Sequence, residues 1–327
     1  MQKAMAVAEA FGLGRPVRAM TAHTHRSSPT WVLDTVDGRV LVKQVEVAGR
    51  EAEVIRAARF EARVGAGGVD VPRPVPPAGE AVGYATYVAG FGWARAYEWL
   101  DGRDLRDDDE VAGWLGATLA AVHAVEPVDA PERVAYGIHP AERWHAWLAA
   151  GERLARPWAP TLRAGLPAIL DISAWVAAAL DRAGDYVLTH RDVEPWNVMI
   201  TSSGPVLFDW DPAGPDSAGL EACHAAFAFA TRAGHDWAAL RATLTAYAAA
   251  GGVVPADPDL LARRVGMRIN RLAWRLSMST GAQPLGPNDL ATVDARAREQ
   301  VEQLPGFAAD LRAVGTAIAA EAGLTRP

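Results

Sequence analysis

The sequence has only one cysteine, Cys223, which excludes an internal disulfide and a cysteine-rich metal site. Long apolar runs are also missing, since no stretch reaches the roughly 18 uninterrupted apolar residues typical of a membrane-spanning helix. The N-terminal segment is interrupted by Glu9, Gly12 and Gly14, which makes it too broken for the core of a signal peptide. These absences predict a cytoplasmic protein without a membrane partner.

Positive charge is in deficit as well. The 32 lysines and arginines face 39 aspartates and glutamates, which leaves a formal net charge of -7. Because a protein that binds the phosphate backbone needs a basic surface, nucleic acid is not expected as a partner. Lysine occurs only at Lys3 and Lys43. In a chain that otherwise uses arginine, an internal lysine indicates a task that requires a compact ammonium group.

The N-terminal part of the chain has the patterns of a small sheet with one helix. β-Branched residues flank the turn dipeptide Asp37-Gly38, and a helical spacing of apolar residues follows Gly49. The order β-β-α-β-β is therefore predicted, with a helix over 50–64 and strands at 31–33, 40–45, 82–88 and 93–99.

Helical patterns dominate the rest of the chain. They predict helices at 111–125, 140–154, 172–183, 220–231, 237–249, 259–277 and 288–303. The change of character predicts an α+β fold of two lobes, a small β-rich lobe over 1–98 and a large, mostly helical lobe over 99–327.

One short β segment interrupts the helical part. Two apolar strands, 198–200 and 206–208, flank a Ser-Ser-Gly turn. Because a hairpin brings the residue before its first strand next to the residue after its second, Asn197 and Asp209 are expected side by side. A carboxylate and an amide oxygen are hard ligands suited to Mg²⁺, which completes its shell with water and phosphate oxygens. Asp192 is expected within reach of the same space.

The loop before this hairpin matches the H-R-D-x-x-x-x-N catalytic loop of protein kinases in His190, Arg191, Asp192 and Asn197. In that pattern the aspartate is the catalytic base and the asparagine binds a metal ion. His190 is expected to have a structural, hydrogen-bonding role, because the aspartate holds the catalytic position.

Over residues 40 to about 222, the chain resembles the aminoglycoside phosphotransferase and choline kinase family, which are small-molecule relatives of protein kinases. The motifs that carry the resemblance are Val40-Leu41-Val42-Lys43, Arg50-Glu51, Val71-Pro72-Arg73-Pro74, Tyr97-Glu98-Trp99-Leu100-Asp101-Gly102, Leu119-Ala120-Ala121-Val122-His123, the 190–197 loop and Asp209-Trp210-Asp211.

The resemblance implies a kinase-like fold whose first lobe binds ATP, or GTP as an alternative. In this family Lys43 would hold the α- and β-phosphates, and Glu51 would pair with Lys43. From the residues alone, Glu53 competes with Glu51 for that role. The adenine would lie against the backbone of Tyr97, Glu98 and Trp99.

The resemblance also implies the reaction, which is transfer of the γ-phosphoryl group to a hydroxyl of a small molecule. Asp192 would be the base, and Asn197 and Asp209 would bind Mg²⁺. A protein kinase is disfavoured, because no Ala-Pro-Glu segment or long activation loop follows Asp209. A nucleotide-binding regulator without catalysis is the hypothesis from another functional class.

Two features depart from the kinase pattern. The turn that would hold a glycine-rich loop, 22–28, contains no glycine, so the amides and hydroxyls of Ser27 and Ser28 are expected to cover the phosphates. Arg191 stands where relatives with antibiotic substrates usually carry glycine, and its contacts are an open question.

Two charged groups give opposite indications about the acceptor. Four acids near the catalytic loop favour a cationic acceptor such as an aminoglycoside-like antibiotic, and with it a role in antibiotic resistance: Glu194, Asp211, Asp216 and Glu221. Four arginines on one helical stripe, of which Arg268 and Arg271 are candidate substrate contacts, favour an anion-binding wall and a metabolite alcohol: Arg264, Arg268, Arg271 and Arg275. Solvated helix-cap charges explain the acids equally well, and a solvated or acid-paired face is the commoner explanation of the arginines. An aminoglycoside-like antibiotic is the acceptor expected first, and a metabolite alcohol such as choline or an amino sugar is the alternative.

Overall fold

The computed structural model describes residues 1–23, 29–126, 136–286 and 288–324. Its helices are α1 (Gln2–Ala10), α2 (Glu51–Ala66), α3 (Ala112–His123), α4 (Ala141–Arg153), α5 (Ala159–Ala183), α6 (Ala218–Ala230), α7 (Trp237–Ala249), α8 (Ala262–Ser279) and α9 (Leu290–Leu324). Its strands are β1 (Thr21–His23), β2 (Thr30–Thr35), β3 (Gly38–Gln44), β4 (Pro74–Val75), β5 (Thr86–Val88), β6 (Gly92–Glu98), β7 (Gly102–Asp104), β8 (Tyr186–Thr189), β9 (Val198–Thr201), β10 (Gly204–Leu207) and β11 (Gly214–Ser217). The predicted α+β class, with a sheet-rich N-terminal part and a helical C-terminal part, is confirmed.

The N-terminal sheet is antiparallel, with the strand order β1-β2-β3-β6-β4 and with β5 as a further partner of β6. The predicted hairpin forms between β2 and β3 and pairs Thr35 with Gly38. On β3, Lys43 lies opposite Thr30 of β2 and opposite Arg95 of β6. Because directly opposed residues point to the same face of a sheet, the side chains of Lys43 and Arg95 project together.

A helix that the sequence analysis did not predict covers this sheet. α1 buries Val7 in a cluster that also holds Phe11 and the sheet residues Leu33 and Val42. The helix therefore closes one face of the sheet and leaves the other face for the rest of the protein.

The C-terminal part differs from the prediction at three places. α5 begins at Ala159, not at residue 172, and runs through Pro167, because Leu162, Leu166 and other residues of its first half are buried in the core. Burial outweighs the local cost of the proline. α9 extends far past residue 303, and β11, which pairs with β8, occupies a segment expected as a loop.

Two clusters form the core of this part. The larger one joins α5, α8 and α9 and contains Trp144 and Trp158, which are fully buried. The second connects the N-terminal helix α2 to the hairpin β9–β10, and in it the Phe60 ring lies 6.0 Å from the Trp210 ring. This second cluster fixes the catalytic segment relative to the sheet.

The helix α5 is long and apolar enough to span a membrane by length and composition. It also packs against α8 and α9 and contributes Ile169, Val176 and Leu180 to the larger cluster. A core helix passes the same test, so the finding is weak evidence for a membrane span.

Close packing of α3 on α7 gives a test of the helical core. In Gly116→Ala, the new methyl group would overlap the backbone oxygen of Thr243 and the backbone nitrogen of Tyr247. We expect the free energy of unfolding to fall by about 2 kcal/mol, measured by urea denaturation. The matched control, Gly113→Ala on the same helix, places its methyl in open space and is expected to gain up to about 1 kcal/mol. Equal effects of the two variants would contradict the close packing.

Candidate active site

A cleft between the N-terminal sheet and the hairpin β9–β10 brings together most of the residues predicted to bind nucleotide. Its lining consists of His23, Thr30, Leu41, Lys43, Pro72, Tyr97, Glu98, Trp99, Leu100, Met199, Val206, Phe208 and Asp209. Most of this lining is apolar or aromatic, and Lys43 and Asp209, two of its charged residues, meet in it. The cleft therefore suits a ligand with one flat apolar part and one charged part.

The segment Tyr97–Trp99 forms one wall of this cleft. The amide hydrogens of Glu98 and Trp99 are already donated, to the carbonyl oxygens of Arg73 at 2.9 Å and Arg39 at 3.3 Å. The Trp99 ring packs edge-on against His23, with 5.8 Å between the ring centroids. A ligand at this wall therefore meets the Trp99 side chain and backbone groups other than these two amides.

Lys43 is the cation at the centre of the site. Its Nζ lies 2.5 Å from Asp209 Oδ1 and 2.5 Å from Asp211 Oδ2. Burial acts to lower the pKa of Lys43, but the carboxylates of Asp211 and Asp209 outweigh it, so the pKa is raised above the usual lysine value. The ammonium is therefore charged, and it joins the sheet to the segment after the hairpin.

Asp211 connects Lys43 to a second buried cation. Arg95 donates to Asp211 Oδ1 at 2.5 Å and to Glu61 Oε2 at 2.5 Å, and the side chains of Arg95 and Glu61 are 2% and 1% exposed. Burial acts to raise the pKa of Asp211, but Lys43 and Arg95 lower it to about 2. The expectation that Asp211 binds a cationic acceptor is corrected, because its carboxylate is already used by two cations.

The predicted ion pair between Glu51 and Lys43 is wrong for this structure. Glu51 is exposed in the first turn of α2, where its Oε1 accepts a hydrogen bond from the Gly49 amide at 3.1 Å. Its rival Glu53 is exposed as well and pairs with Arg50. Neither side chain reaches the sheet, because the first turn of α2 lies at the surface.

The acid of α2 that lies in the site is Glu61, which pairs with Arg95. The sequence analysis missed this residue. It lies on the same helical face as the buried residues Ala57, Phe60 and Val64. A carboxylate on an apolar helix face must be paired when the face is buried, and this was the signal in the sequence. Burial raises the pKa of Glu61, and Arg95 and Lys43 oppose that shift.

The catalytic loop is held by its own polar groups. Asn197 Nδ2 donates to the carbonyl oxygen and to Oδ2 of Asp192, both at 2.8 Å. His190 Nε2 donates to the carbonyl oxygen of Phe208 at 3.1 Å, and its Nδ1 accepts from the Asp192 amide at 3.2 Å. Burial lowers the pKa of His190 and raises the pKa of Asp192. The neutral ring of His190 thus connects the catalytic loop to the end of the hairpin through these two hydrogen bonds.

Two residues of the site adopt the left-handed backbone region that normally favours glycine. Arg191 has φ 68° and Asp209 has φ 69°. For such residues the conformation costs on the order of 1 kcal/mol, so the surroundings must hold it in place. The Arg191 amide donates to Glu221 Oε1 at 2.5 Å, and the Phe208 amide donates to the Asn197 carbonyl oxygen at 3.0 Å. These bonds place Asn197 and Asp209 at the same end of the hairpin, as predicted.

Two predicted substrate residues, Asp216 and Glu221, are not accessible from the surface. Both side chains are fully buried. Asp216 Oδ2 accepts from Arg263 Nε at 2.7 Å, and Glu221 Oε2 lies 2.8 Å from His123 Nε2. Arg263 in turn donates to the Arg191 carbonyl oxygen at 2.7 Å. The prediction is therefore wrong for these two acids, because both support the backbone of the catalytic loop from inside the core.

The remaining predicted substrate residues lie in a second pocket beyond the loop. Glu194 is 5% exposed, and its Oε1 lies 3.0 Å from His224 Nε2 and 3.5 Å from Arg264 NH1. Arg268 and Arg271 line the same pocket. Ser27 and Ser28, predicted to cover the phosphates, lie outside the described residues.

A comparison with protein families decides the class of the protein. The model of the phosphotransferase enzyme family, APH, matches residues 20–264. The chain belongs to this family. It is therefore a small-molecule phosphotransferase, as the sequence predicted. No curated protein sequence matches the chain.

Solved structures of the same fold support the predicted kinase-like architecture. An aminoglycoside phosphotransferase from Alicyclobacillus acidocaldarius subsp. acidocaldarius DSM 446 has 17% identity and a TM-score of 0.56, over 92% of this chain and 94% of that chain. A choline/ethanolamine kinase family protein from Mesorhizobium loti has 14% identity and a TM-score of 0.61, over 96% and 98%. An amicoumacin kinase in complex with AMP-PNP, Ca²⁺ and Ami has 13% identity and a TM-score of 0.63, over 92% and 91%. At these identities the likeness shows the fold alone.

The buried pair of Glu61 and Arg95 leads to a prediction about stability. In Glu61→Gln, Arg95 loses one of its two carboxylate partners in a buried position. We expect the free energy of unfolding to fall by about 2 kcal/mol, measured by urea denaturation. Glu51→Gln on the same helix removes an exposed carboxylate and is expected to cost less than about 1 kcal/mol. If Glu51→Gln lost more free energy of unfolding than Glu61→Gln, Glu51 and not Glu61 would be the acid of α2 that pairs with a buried cation.

Proposed function

We propose that the chain transfers the γ-phosphoryl group of ATP, or of GTP as an alternative, to a hydroxyl of a small acceptor. The nucleotide would occupy the cleft, and the acceptor would approach the catalytic loop. The observation that supports this most directly is the position of Lys43, whose ammonium lies 2.5 Å from Asp209 Oδ1 inside the cleft. An ammonium at that point can neutralise phosphate oxygens.

The donor set at the end of the hairpin fits a divalent cation, and we propose Mg²⁺. Asp209 offers a carboxylate and Asn197 an amide oxygen, since the amide nitrogen of Asn197 is already donated to Asp192. Among the described residues, no group of three or more His, Cys, Asp and Glu side chains could hold a metal. A site of two protein ligands matches Mg²⁺, which keeps water and phosphate oxygens in its shell. When bound, the ion would offset the charge of the phosphates.

Asp192 is proposed as the group that accepts the proton of the acceptor hydroxyl. The hydrogen bond from Asn197 fixes one carboxylate oxygen, Oδ2. Burial raises the pKa of the Asp192 carboxyl, which makes it a better base than an exposed aspartate. Phosphoryl transfer requires mainly positioning and charge neutralisation, so Asp192 and Lys43 supply most of what this chain must contribute.

We further propose that the division of labour follows the lobes predicted from the sequence, 1–98 for the nucleotide and 99–327 for the acceptor and the catalytic loop. Lys43 and Arg95 come from the first lobe, and Asp192, Asn197 and Asp209 come from the second. The charge contacts Lys43–Asp209 and Arg95–Asp211 then cross the boundary.

The acceptor is the open part of the proposal. The similar structures include an aminoglycoside phosphotransferase and a choline/ethanolamine kinase family protein, so both expected acceptor classes have a counterpart. An aminoglycoside-like acceptor, and with it antibiotic resistance, was favoured by four acids. Asp216 and Glu221 are buried, and Asp211 is held by two cations. These contacts remove most of the support for a polycationic acceptor and favour the kinase of a metabolite alcohol. A cytoplasmic location stays a prediction.

The role of Asp192 is tested by Asp192→Ala. We expect kcat to fall by at least about a hundredfold, because the hydroxyl loses its base, while the Kd for MgATP stays within about twofold. Turnover is measured as ADP released with a panel of hydroxylated acceptors, and nucleotide binding by calorimetry.

The matched control is Asp171→Ala, which removes an exposed aspartate of α5 and is expected to keep wild-type turnover. Near-normal turnover of Asp192→Ala would refute the base. MgATP binding by the wild-type chain without phosphorylated product from any acceptor would instead support the non-catalytic regulator.

A further inference from the structure

A pocket beside the catalytic loop has a strongly basic wall, although the chain as a whole is acidic. We name it the arginine pocket and define it by its lining residues: Glu194, Trp196, His224, Arg264, Met267, Arg268, Arg271, Arg275, Arg296, Glu299, Gln300, Gln303 and Phe307. Five arginines thus face two glutamates, in a chain with a formal net charge of -7. The pocket has a volume of about 370 Å³, which lies within the size range of small-molecule sites.

The arginines of this pocket are held mainly by neutral partners. Arg268 donates to Gln303 Oε1 at 2.5 Å, and its guanidinium carbon lies 4.3 Å from the centre of the Phe307 ring. Arg275 donates to Gln300 Oε1, and Gln300 Nε2 donates to the Arg268 carbonyl oxygen at 2.6 Å. Amides and an aromatic face orient a guanidinium without neutralising it, so the positive charge of the wall is kept.

Arginines elsewhere in the protein are paired differently. Carboxylates lie within 3 Å of the following residues: Arg18, Arg39, Arg95, Arg103, Arg163, Arg182 and Arg263. Among the described residues of the arginine pocket, Arg264 alone has a carboxylate oxygen within 4.0 Å, that of Glu194 at 3.5 Å. Among the side chains that the structure describes, no carboxylate oxygen lies within 4.0 Å of the nitrogens of Arg268, Arg271, Arg275 or Arg296. The wall therefore lacks the counter-charge that these seven other arginines have.

Burial makes this missing counter-charge significant. The Nε atoms of Arg264 and Arg268 are buried and have no hydrogen-bond partner in the described part of the chain. Burial, together with repulsion from Arg271, lowers the pKa of Arg268 and of Arg275. Like charges in a partly buried wall destabilise one another, and a bound anion removes that cost.

The position of the pocket connects it to the reaction. Glu194 and Trp196 belong to the same loop as Asp192, two and four residues after it. Trp196 is 44% exposed and offers an apolar surface at the rim. A molecule seated in the pocket therefore lies against the loop that carries the proposed base.

We infer that the arginine pocket binds an anionic group, a carboxylate, phosphate or sulfate, of the molecule whose hydroxyl is phosphorylated. Guanidinium groups bind such oxyanions through paired hydrogen bonds. Because Gln303 and Gln300 already hold Arg268 and Arg275, binding avoids part of the entropy cost of ordering these long side chains. The same wall repels a polycation. This inference rests on the proposed phosphotransferase function and narrows its acceptor to an anionic alcohol.

Binding of sulfate tests the pocket independently of turnover. The protein is first loaded with Mg²⁺ and AMP-PNP, so that the phosphate positions of the cleft are filled, and is then titrated with sodium sulfate by calorimetry. We expect saturable binding to the wild type and at least about a tenfold loss in the double variant Arg268→Gln, Arg271→Gln. The matched control, Arg298→Gln, removes one exposed arginine of α9 that pairs with Glu302 outside the pocket, and it should bind like the wild type.

The alternative outcomes of the titration have separate meanings. Absence of sulfate binding in the wild type, or equal binding by the wild type and the double variant, would overturn the inference. A different result would contradict the proposed function. If the wild-type chain does not bind AMP-PNP, the nucleotide cleft is wrong, and sulfate binding then tests the arginine pocket by itself. Thermal unfolding of each variant shows whether the fold is kept.

Matched acceptors test whether the pocket serves the substrate. Sets that differ only in charge, such as glucose, glucosamine and glucuronate, or glycerol, aminopropanediol and glycerate, are incubated with MgATP, and the mass of an added phosphate is read. We expect products from anionic members, and kcat/KM for them to fall at least about tenfold in the double variant and not in Arg298→Gln. Products only from neutral or cationic members, or from no anionic member, would overturn the assignment of the pocket to the acceptor.

Discussion

The contact of one lysine with two aspartates determines how this protein is assembled and what it can do. Lys43 comes from the N-terminal sheet, and Asp209 and Asp211 follow the hairpin of the helical part. The ammonium is buried, so it needs an anionic partner, here the two carboxylates, because an unpaired buried charge costs several kcal/mol. The same charge requirement that joins the two parts of the chain leaves a cation facing the cleft, where a phosphate can bind. Stability and chemistry therefore depend on one arrangement of charges.

This arrangement explains the unusual use of basic residues. Arg95 lies next to Lys43 in the sheet register, yet the two cations have different tasks. The planar guanidinium of Arg95 spans two carboxylates, Asp211 and Glu61, in a fixed fork. The compact ammonium of Lys43 can instead change partners within a small space, which is what a phosphate entering the cleft requires. This difference is the reason we propose for a lysine at position 43 in a chain whose other basic residues, except Lys3, are arginines.

The sequence predicted those features that depend on neighbouring residues, and missed those that depend on distant ones. The hairpin, Asn197 and Asp192 could be predicted because turn chemistry and motif spacing act within about twenty residues. Glu61 was missed because choosing between three acids of α2 requires knowing which helix face the sheet covers. Asp216 and Glu221 were assigned to a substrate because nothing local shows that they will be buried beside Arg263 and His123. α5 continues through Pro167 because its buried face contributes more than the proline costs.

The difference between local and distant contacts also explains why the arginine pocket is positively charged. Sequence counts gave the catalytic region a surplus of acids, but charge acts through exposed groups, and the fold has already paired those acids with Lys43, Arg95, Arg263 and histidines. Asp211 and Asp216 therefore have cationic partners inside the protein. Arg268 and Arg275 of α8 are held by glutamines, and Arg268 also by an aromatic ring, and these partners orient the guanidinium groups without cancelling their charge. What an acceptor meets next to the catalytic loop is therefore a positive wall in a negatively charged protein, and the partners of each charge, not the number of charges, set the substrate that such a site can accept.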